Sequence, residues 1–112
     1  MDKGINYINK IVNVKIDRPL GSNHPTHGFL YELNYGYVPN TISGDGEELD
    51  AYILGVNEPV ESFTGRVIAV VERLEEIDDK LVVAFDGENY SDDEIEKMVH
   101  FQEKWKKHRI VR

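Results

Sequence analysis

Val12, Val14 and Ile16 alternate with polar neighbours, which predicts a half-buried strand over residues 11–16. Pro19 and Gly21 stop it, and residues 21–28 read as an irregular loop that carries His24 and His27. Leu30-Tyr31-Glu32-Leu33 predicts a short strand. Tyr35-Gly36-Tyr37-Val38-Pro39 is extended and aromatic, because Pro39 steers Val38 away from helix. Ser43-Gly44-Asp45-Gly46 is a turn by composition, and residues 49–54 return as a strand. Residues 65–72 are nearly all apolar in the middle, the mark of a strand buried on both faces. Residues 80–85 are its expected antiparallel partner, across an acidic turn at 75–79.

The period then changes. Ser91 and Glu94 form a capping box, with Asp92 and Asp93 at the positive end of the helix dipole. Ile95, Met98, Val99, Gln102 and Trp105 fall at helical spacing, and Lys104, Lys106, Lys107 and His108 predict a basic last turn. The expectation is one domain over residues 1–112, mainly β, with about five strands and one C-terminal α-helix. A small closed barrel capped by that helix satisfies the pattern.

Composition narrows the function. The chain has 112 residues, of which 40% are hydrophobic and 30% charged, enough to bury one core. It has no cysteine, which excludes thiolate ligands and cysteine nucleophiles. No stretch approaches the roughly 18 apolar residues of a membrane span, and the first residues lack the apolar core of a signal peptide. A soluble cytoplasmic protein with no membrane partner is expected. The formal net charge of -8 disfavours nucleic acid. An anionic ligand therefore needs metal ions or a local gathering of cations.

The candidate chemistry lies in charged turns. Asp45, Glu47 and Asp50 fall within six residues around a glycine turn, where carboxylates can converge on a hard divalent cation. By composition alone the run is first a solvated acidic turn. The same holds for Glu75, Glu76, Asp78 and Asp79, which as a second cluster could complete a two-metal site. Tyr31, Tyr35 and Tyr37 suit strand packing as well as hydrogen bonds to phosphate. His24 and His27, beside Arg18, read as surface histidines or as weak zinc or manganese ligands. Lys80, Lys106 and Lys107 are ordinary surface cations or, in so acidic a chain, phosphate grips.

Taken together, residues 34–50 carry Asn34-Tyr35-Gly36-Tyr37, then Thr41, then Asp45-Gly46-Glu47-Glu48-Leu49-Asp50. This segment resembles the family I soluble inorganic pyrophosphatases, whose signature is N-Y-G-Y, a Thr, then D-G-D-P-hydrophobic-D at the same spacing. Glu75 and Asp78 followed by Lys80 are similar to that family's second acidic cluster and its phosphate-binding lysine. Residues 100–106 are similar to the helix segment where the family carries a Tyr-Lys pair.

The resemblance implies a five-stranded, OB-like barrel and Mg²⁺-dependent hydrolysis of pyrophosphate to two phosphates, with Mn²⁺ as the alternative ion. It implies Asp45, Asp50, Asp78 and Glu75 as metal ligands and Glu47 as the carboxylate that activates water. Tyr35, Lys80 and Lys106 would contact phosphate, and Asp50 and Tyr35 join Glu47 as the expected catalytic residues. Arg18 and His24 are expected to bind substrate from the loop that stands where the family's upstream charged segment and arginine have no counterpart. Homo-oligomers are usual in the family. The sequence departs from the pattern at Glu47 and Glu75, each a methylene longer than the family's Asp, and at Trp105, which replaces the tyrosine of the pair. Another small diphosphate as substrate, or a non-catalytic phosphate-binding module on the same barrel, are the alternative readings.

Overall fold

The computed structural model describes residues 2–112. Six strands and one α-helix follow a short 3-10 turn at Gly4–Tyr7. They are β1 (Ile11–Arg18), β2 (Asn34–Val38), β3 (Leu49–Ile53), β4 (Ser62–Arg73), β5 (Asp79–Ala84), α1 (Asp92–Glu103) and β6 (His108–Val111). The strands run in the order β1-β2-β3-β5-β4, and β4 pairs back onto β1, which closes a five-stranded barrel. The β3–β5 pairing is parallel and the others are antiparallel. The expected β4–β5 hairpin and closed barrel are both present.

The period-2 alternation divides the side chains between two cores. Val12, Val14, Ile16, Leu49, Ala51, Val67, Leu81 and Val83 belong to the cluster enclosed by the barrel. Tyr35, Tyr52, Val71, Val82 and Ala84 face outward and are covered by Ile95, Val99 and Phe101 of α1. Asp50 and Lys80 are in phase with the outer set, so they emerge where the helix leaves the barrel surface uncovered.

One irregularity sets the phase of a key strand. The β4–β5 register shifts between Val67 and Ala69. Val67 and Val70 both belong to the inner cluster, while Ile68, Ala69 and Val71 belong to the outer one. A bulge adds one residue and flips everything after it to the opposite face. Arg73 thereby comes out on the helix side. The same bend lets the first part of β4 pair with β1 and its last residues, Val70 to Arg73, pair with β6.

Several residues of the 34–50 segment are architectural. The side chain of Asn34 is fully buried, donates to the Glu58 carbonyl and accepts from the Leu20 and Val60 amides. Thr41 Oγ1 donates to the Val38 carbonyl and accepts from the Leu49 amide, stapling the β2–β3 connection. A Cβ on Gly36 would sit 1.9 Å from the Lys15 carbonyl oxygen, so only glycine lets β1 and β2 approach there.

The structure corrects three expectations. Residues 30–33 form no strand. Leu30 makes a single bridge to Asn23, the Tyr31 backbone pairs with Gly21 and Ser22 in the same loop, and Tyr31 and Leu33 are buried in the cluster they share with α1. The helix ends at Glu103, so Trp105 is outside it, and the basic run lies in the following turn, with His100 the basic residue of the last helical turn. His108 opens β6, a strand not foreseen, which pairs with β4 and turns the chain away from the helical path. No helix among the described residues is long and apolar enough to cross a membrane.

Candidate active site

The β3–β5 pairing places Asp50 directly beside Lys80, and the β2–β3 pairing places Tyr35 beside Tyr52. Asp50, Lys80 and Tyr35 line a cleft of about 1080 Å³, with Tyr52 buried beneath them. Lys80 is almost completely buried, and its Nζ lies 2.6 Å from Asp50 Oδ2 and 2.9 Å from Asp78 Oδ2. One ammonium thus holds together carboxylates from the two acidic segments. The Lys80 ammonium also lies 5.8 Å from the centre of the Tyr35 ring. Burial, then the charge of Asp50 and a hydrogen bond to it, push the Tyr35 hydroxyl well above its ordinary pKa, so it remains a donor.

Arg73 is the second organising cation. Its Nε and Nη2 donate to the two oxygens of Glu103 at 3.1 and 2.9 Å, a two-pronged pair. Its Nη1 reaches Glu76 at 3.2 Å and Asp78 at 3.4 Å. Burial opposes the charge of Arg73, but Glu103 outweighs it and raises the pKa, so the guanidinium is a permanent cation. Glu103 is fully buried and anchors a relay of hydroxyls and amides. Tyr31 donates to Gln102 at 2.7 Å, Gln102 to Tyr52 at 2.7 Å, and Tyr52 to Glu103 at 2.6 Å. Every buried polar side-chain atom among the described residues has a partner, as a low-dielectric network requires.

Burial raises the pKa of Asp78, while Lys80 and Arg73 pull it back and Asp50 adds to the rise. Asp17, at the end of β1, also lines the cleft. Burial lifts its carboxyl, Arg18 opposes this, and Asp50 and Glu48 add to it. The cleft wall gathers Arg18, Arg73, Lys80, Lys104 and Lys106 against Asp17, Asp50 and Glu76. In a chain of net charge -8 this lining is locally rich in cations. Asp78 and Glu103 behind it are paired with Lys80 and Arg73, and Glu76 with Lys106. Among the described residues this leaves Arg18 and Lys104 as the lining cations free of a carboxylate partner and open to an anionic ligand.

The other expected site residues are spread more widely. Tyr35, Asp50, Lys80, Lys106, Arg18 and His24 all line the cleft, and His27 does too. Asp78 touches it through Lys80. Asp45 and Glu47 are exposed in the β2–β3 turn. Asp45 accepts from the Ser43 hydroxyl and, at 3.0 Å, from the Glu47 amide. The Ser43 hydroxyl first, then the Glu47 amide, hold the Asp45 carboxyl below its usual range, and Lys80 adds to this. Glu75 is exposed and lines a smaller pocket with Trp105 and Lys107. Lys106 is tied to Glu76.

The donor chemistry suits a hard divalent cation. Asp50 and Asp78 already share one positive charge, and Mg²⁺ takes one or two protein carboxylates and completes its shell with water and phosphate oxygens. Among the described residues no three carboxylates or histidines are grouped closely enough to hold a metal by themselves.

Sequence reasoning missed Arg73, Asp17 and Glu103. Glu103 carried a usable signal, because it continues the Ile95–Val99 stripe at four-residue spacing and so had to be buried and paired. Arg73 carried none, since its facing depends on the bulge.

Comparison with known proteins identifies the family and the fold. The inorganic pyrophosphatase of Neisseria meningitidis serogroup A is 32% identical over 64% of this chain and 52% of the relative. The chain spans about half the length of the curated relatives it matches. The crystal structure of the inorganic pyrophosphatase from Ehrlichia chaffeensis shares the fold with a TM-score of 0.69 at 18% identity, covering 90% of this chain and 84% of that one. The inorganic pyrophosphatase of Helicobacter pylori does so with a TM-score of 0.66 at 21% identity, covering 98% and 86%. The family model for inorganic pyrophosphatase matches residues 7–110, nearly the whole sequence, and the chain belongs to the inorganic pyrophosphatase family.

Proposed function

We propose that this chain hydrolyses inorganic pyrophosphate to two phosphates with a divalent cation, Mg²⁺ or Mn²⁺, in the cleft built on Asp50, Asp78 and Lys80. The observation that carries this reading is that Lys80, on the cleft lining, holds Asp50 beside it and Asp78 behind it, in a cleft whose lining also carries Arg18, Arg73, Lys104 and Lys106. A divalent ion held by Asp50 and Asp78 would supply Lewis-acid charge and an acidified water.

The chain's own groups do the rest. Lys80 and Lys106 bind phosphate oxygens and offset the charge that develops on the departing phosphate. Tyr35, kept protonated, orients Asp50. Asp50 lines the cleft and Glu47 does not, so orientation of the attacking water falls to Asp50. Water attacks one phosphorus, and the bridging oxygen leaves with the other phosphate. Arg73 holds Asp78 in place and takes no part in the bond changes.

Phosphate release from pyrophosphate by purified protein with Mg²⁺ or Mn²⁺ tests the reading. Asp50→Asn should lower it at least about a hundredfold. No release with either ion would refute hydrolysis. One observation favours a second reading, because Lys80 and Arg73 already neutralise Asp50 and Asp78. A site satisfied in this way suits phosphate binding without turnover, and calorimetry would then detect pyrophosphate binding while no phosphate appears.

A further inference from the structure

Pyrophosphate has no apolar surface, yet one flank of the cleft is aromatic. The Phe29 ring lies 5.3 Å from Trp105 and 4.8 Å from His24. The His27 ring is nearly parallel to Phe29, at 7° and 6.4 Å. All four line the same cavity as Lys80 and Lys106. Trp105 is the chain's one tryptophan and is 59% exposed, so packing against its neighbours leaves most of it open. Lys104 Nζ sits 4.6 Å from the centre of its ring.

Size points the same way. Cavities of roughly 300–1,000 Å³ hold drug-sized ligands, and this cleft measures about 1080 Å³. An inorganic diphosphate fills a small part of it. The ionic floor and the aromatic flank are adjacent, so a ligand that spans both carries a diphosphate at one end and a flat ring system at the other.

We propose that the cleft accepts a nucleoside diphosphate, with its phosphates at Lys80 and Lys106 and its base against Phe29, His27 and Trp105. This deepens the function proposed above and rests on it. Stacking reads the face of a base and not its edge, so purines and pyrimidines both enter and the larger purines bind more tightly. Gln102, the one amide side chain among the lining residues, is committed to Tyr31 and Tyr52 and does not read base edges. In hydrolysis the water oxygen bonds to the terminal phosphorus. The anhydride oxygen leaves with the nucleoside monophosphate and keeps the bond pair, and a proton passes to solvent.

The test compares two ligands of equal charge, ADP and methyl diphosphate, by calorimetry on the full chain with Mg²⁺. ADP should bind at least about tenfold more tightly, the contribution of one stacked base, and should quench Trp105 fluorescence. Trp105→Leu and, as a second variant, Phe29→Leu should each reduce that ratio to about threefold or less, with circular dichroism showing the fold retained. Equal affinities in the wild type, or a ratio that both variants leave intact, would overturn the proposal. So would sedimentation showing a dimer in which iodide cannot reach Trp105 and ADP has no effect, because a second copy would then cover the aromatic flank. Pyrophosphate turnover without an ADP response overturns the nucleotide assignment alone. Failure of both ligands to bind or react overturns the hydrolytic reading as well.

Discussion

Replacing Arg73 by methionine tests how the site is held. Its side chain is 10% exposed and that of Glu103 is 0% exposed, so the pair is shielded from water. In Arg73→Met, Glu103 keeps only the Tyr52 hydroxyl, at 2.6 Å. Removing one partner of a buried ion pair leaves an uncompensated charge and costs about 3–5 kcal/mol. Domains of this size are stable by about 5–15 kcal/mol, so the variant should lose a large share of its stability. With a urea slope of about 2 kcal/mol per molar, the midpoint of urea unfolding should fall by about 2 M. Adding Glu103→Gln removes the stranded charge but keeps an acceptor for Tyr52, and should recover at least about 1 kcal/mol. A loss below about 1 kcal/mol, the level of an exposed salt bridge, would refute the reasoning. So would a double variant no more stable than Arg73→Met.

Two further perturbations address the barrel and its late strand. Gly36→Ala puts a methyl group 1.9 Å from a backbone oxygen of β1 and should destabilise by about 3 kcal/mol in urea unfolding; an unchanged midpoint would mean that the strands part easily there. His108 opens β6, and burial alone would lower its pKa, but hydrogen bonds to the Lys106 carbonyl and to Glu96 raise it above the ordinary value. A raised folded value means that its contribution is complete below the unfolded pKa of about 6.5 and is lost as pH rises through the folded one. The stability difference between wild type and His108→Gln should therefore shrink above about pH 6.5, and a difference that stays flat to pH 9 would contradict the assignment.

Local signals were legible wherever the physics was local. The Ser91–Glu94 capping box marks the start of α1, because both hydrogen bonds close within four residues. The alternation of Val12, Val14 and Ile16 shows which face of β1 is buried, and β4 and β5 pair as the hairpin that their composition suggests. Where the pattern misled, a distant partner decided the matter. Residues 30–33 read like a strand, yet they belong to none, and Tyr31 is buried between Tyr35 of β2 and Phe101 of α1. Trp105 continues the helical period, yet the chain leaves the helix at Glu103 so that β6 can reach β4.

The 34–50 segment shows both sides. By itself the sequence determined that carboxylates, a tyrosine and lysines stand at spacings compatible with phosphate chemistry, and that the chain is an acidic, mainly β protein with one capped helix. Tertiary structure decided that Asn34, Gly36 and Thr41 serve the architecture, and that Asp45 and Glu47 lie in an exposed turn. It also decided that Asp50, Asp78 and Lys80 meet, because a parallel β3–β5 pairing joins residues 30 positions apart. The bulge in β4 did the same for Arg73, since a one-residue shift in a period of two exchanges the faces of every residue that follows. Spacing along a chain chooses which groups are available, and long-range register chooses which of them touch.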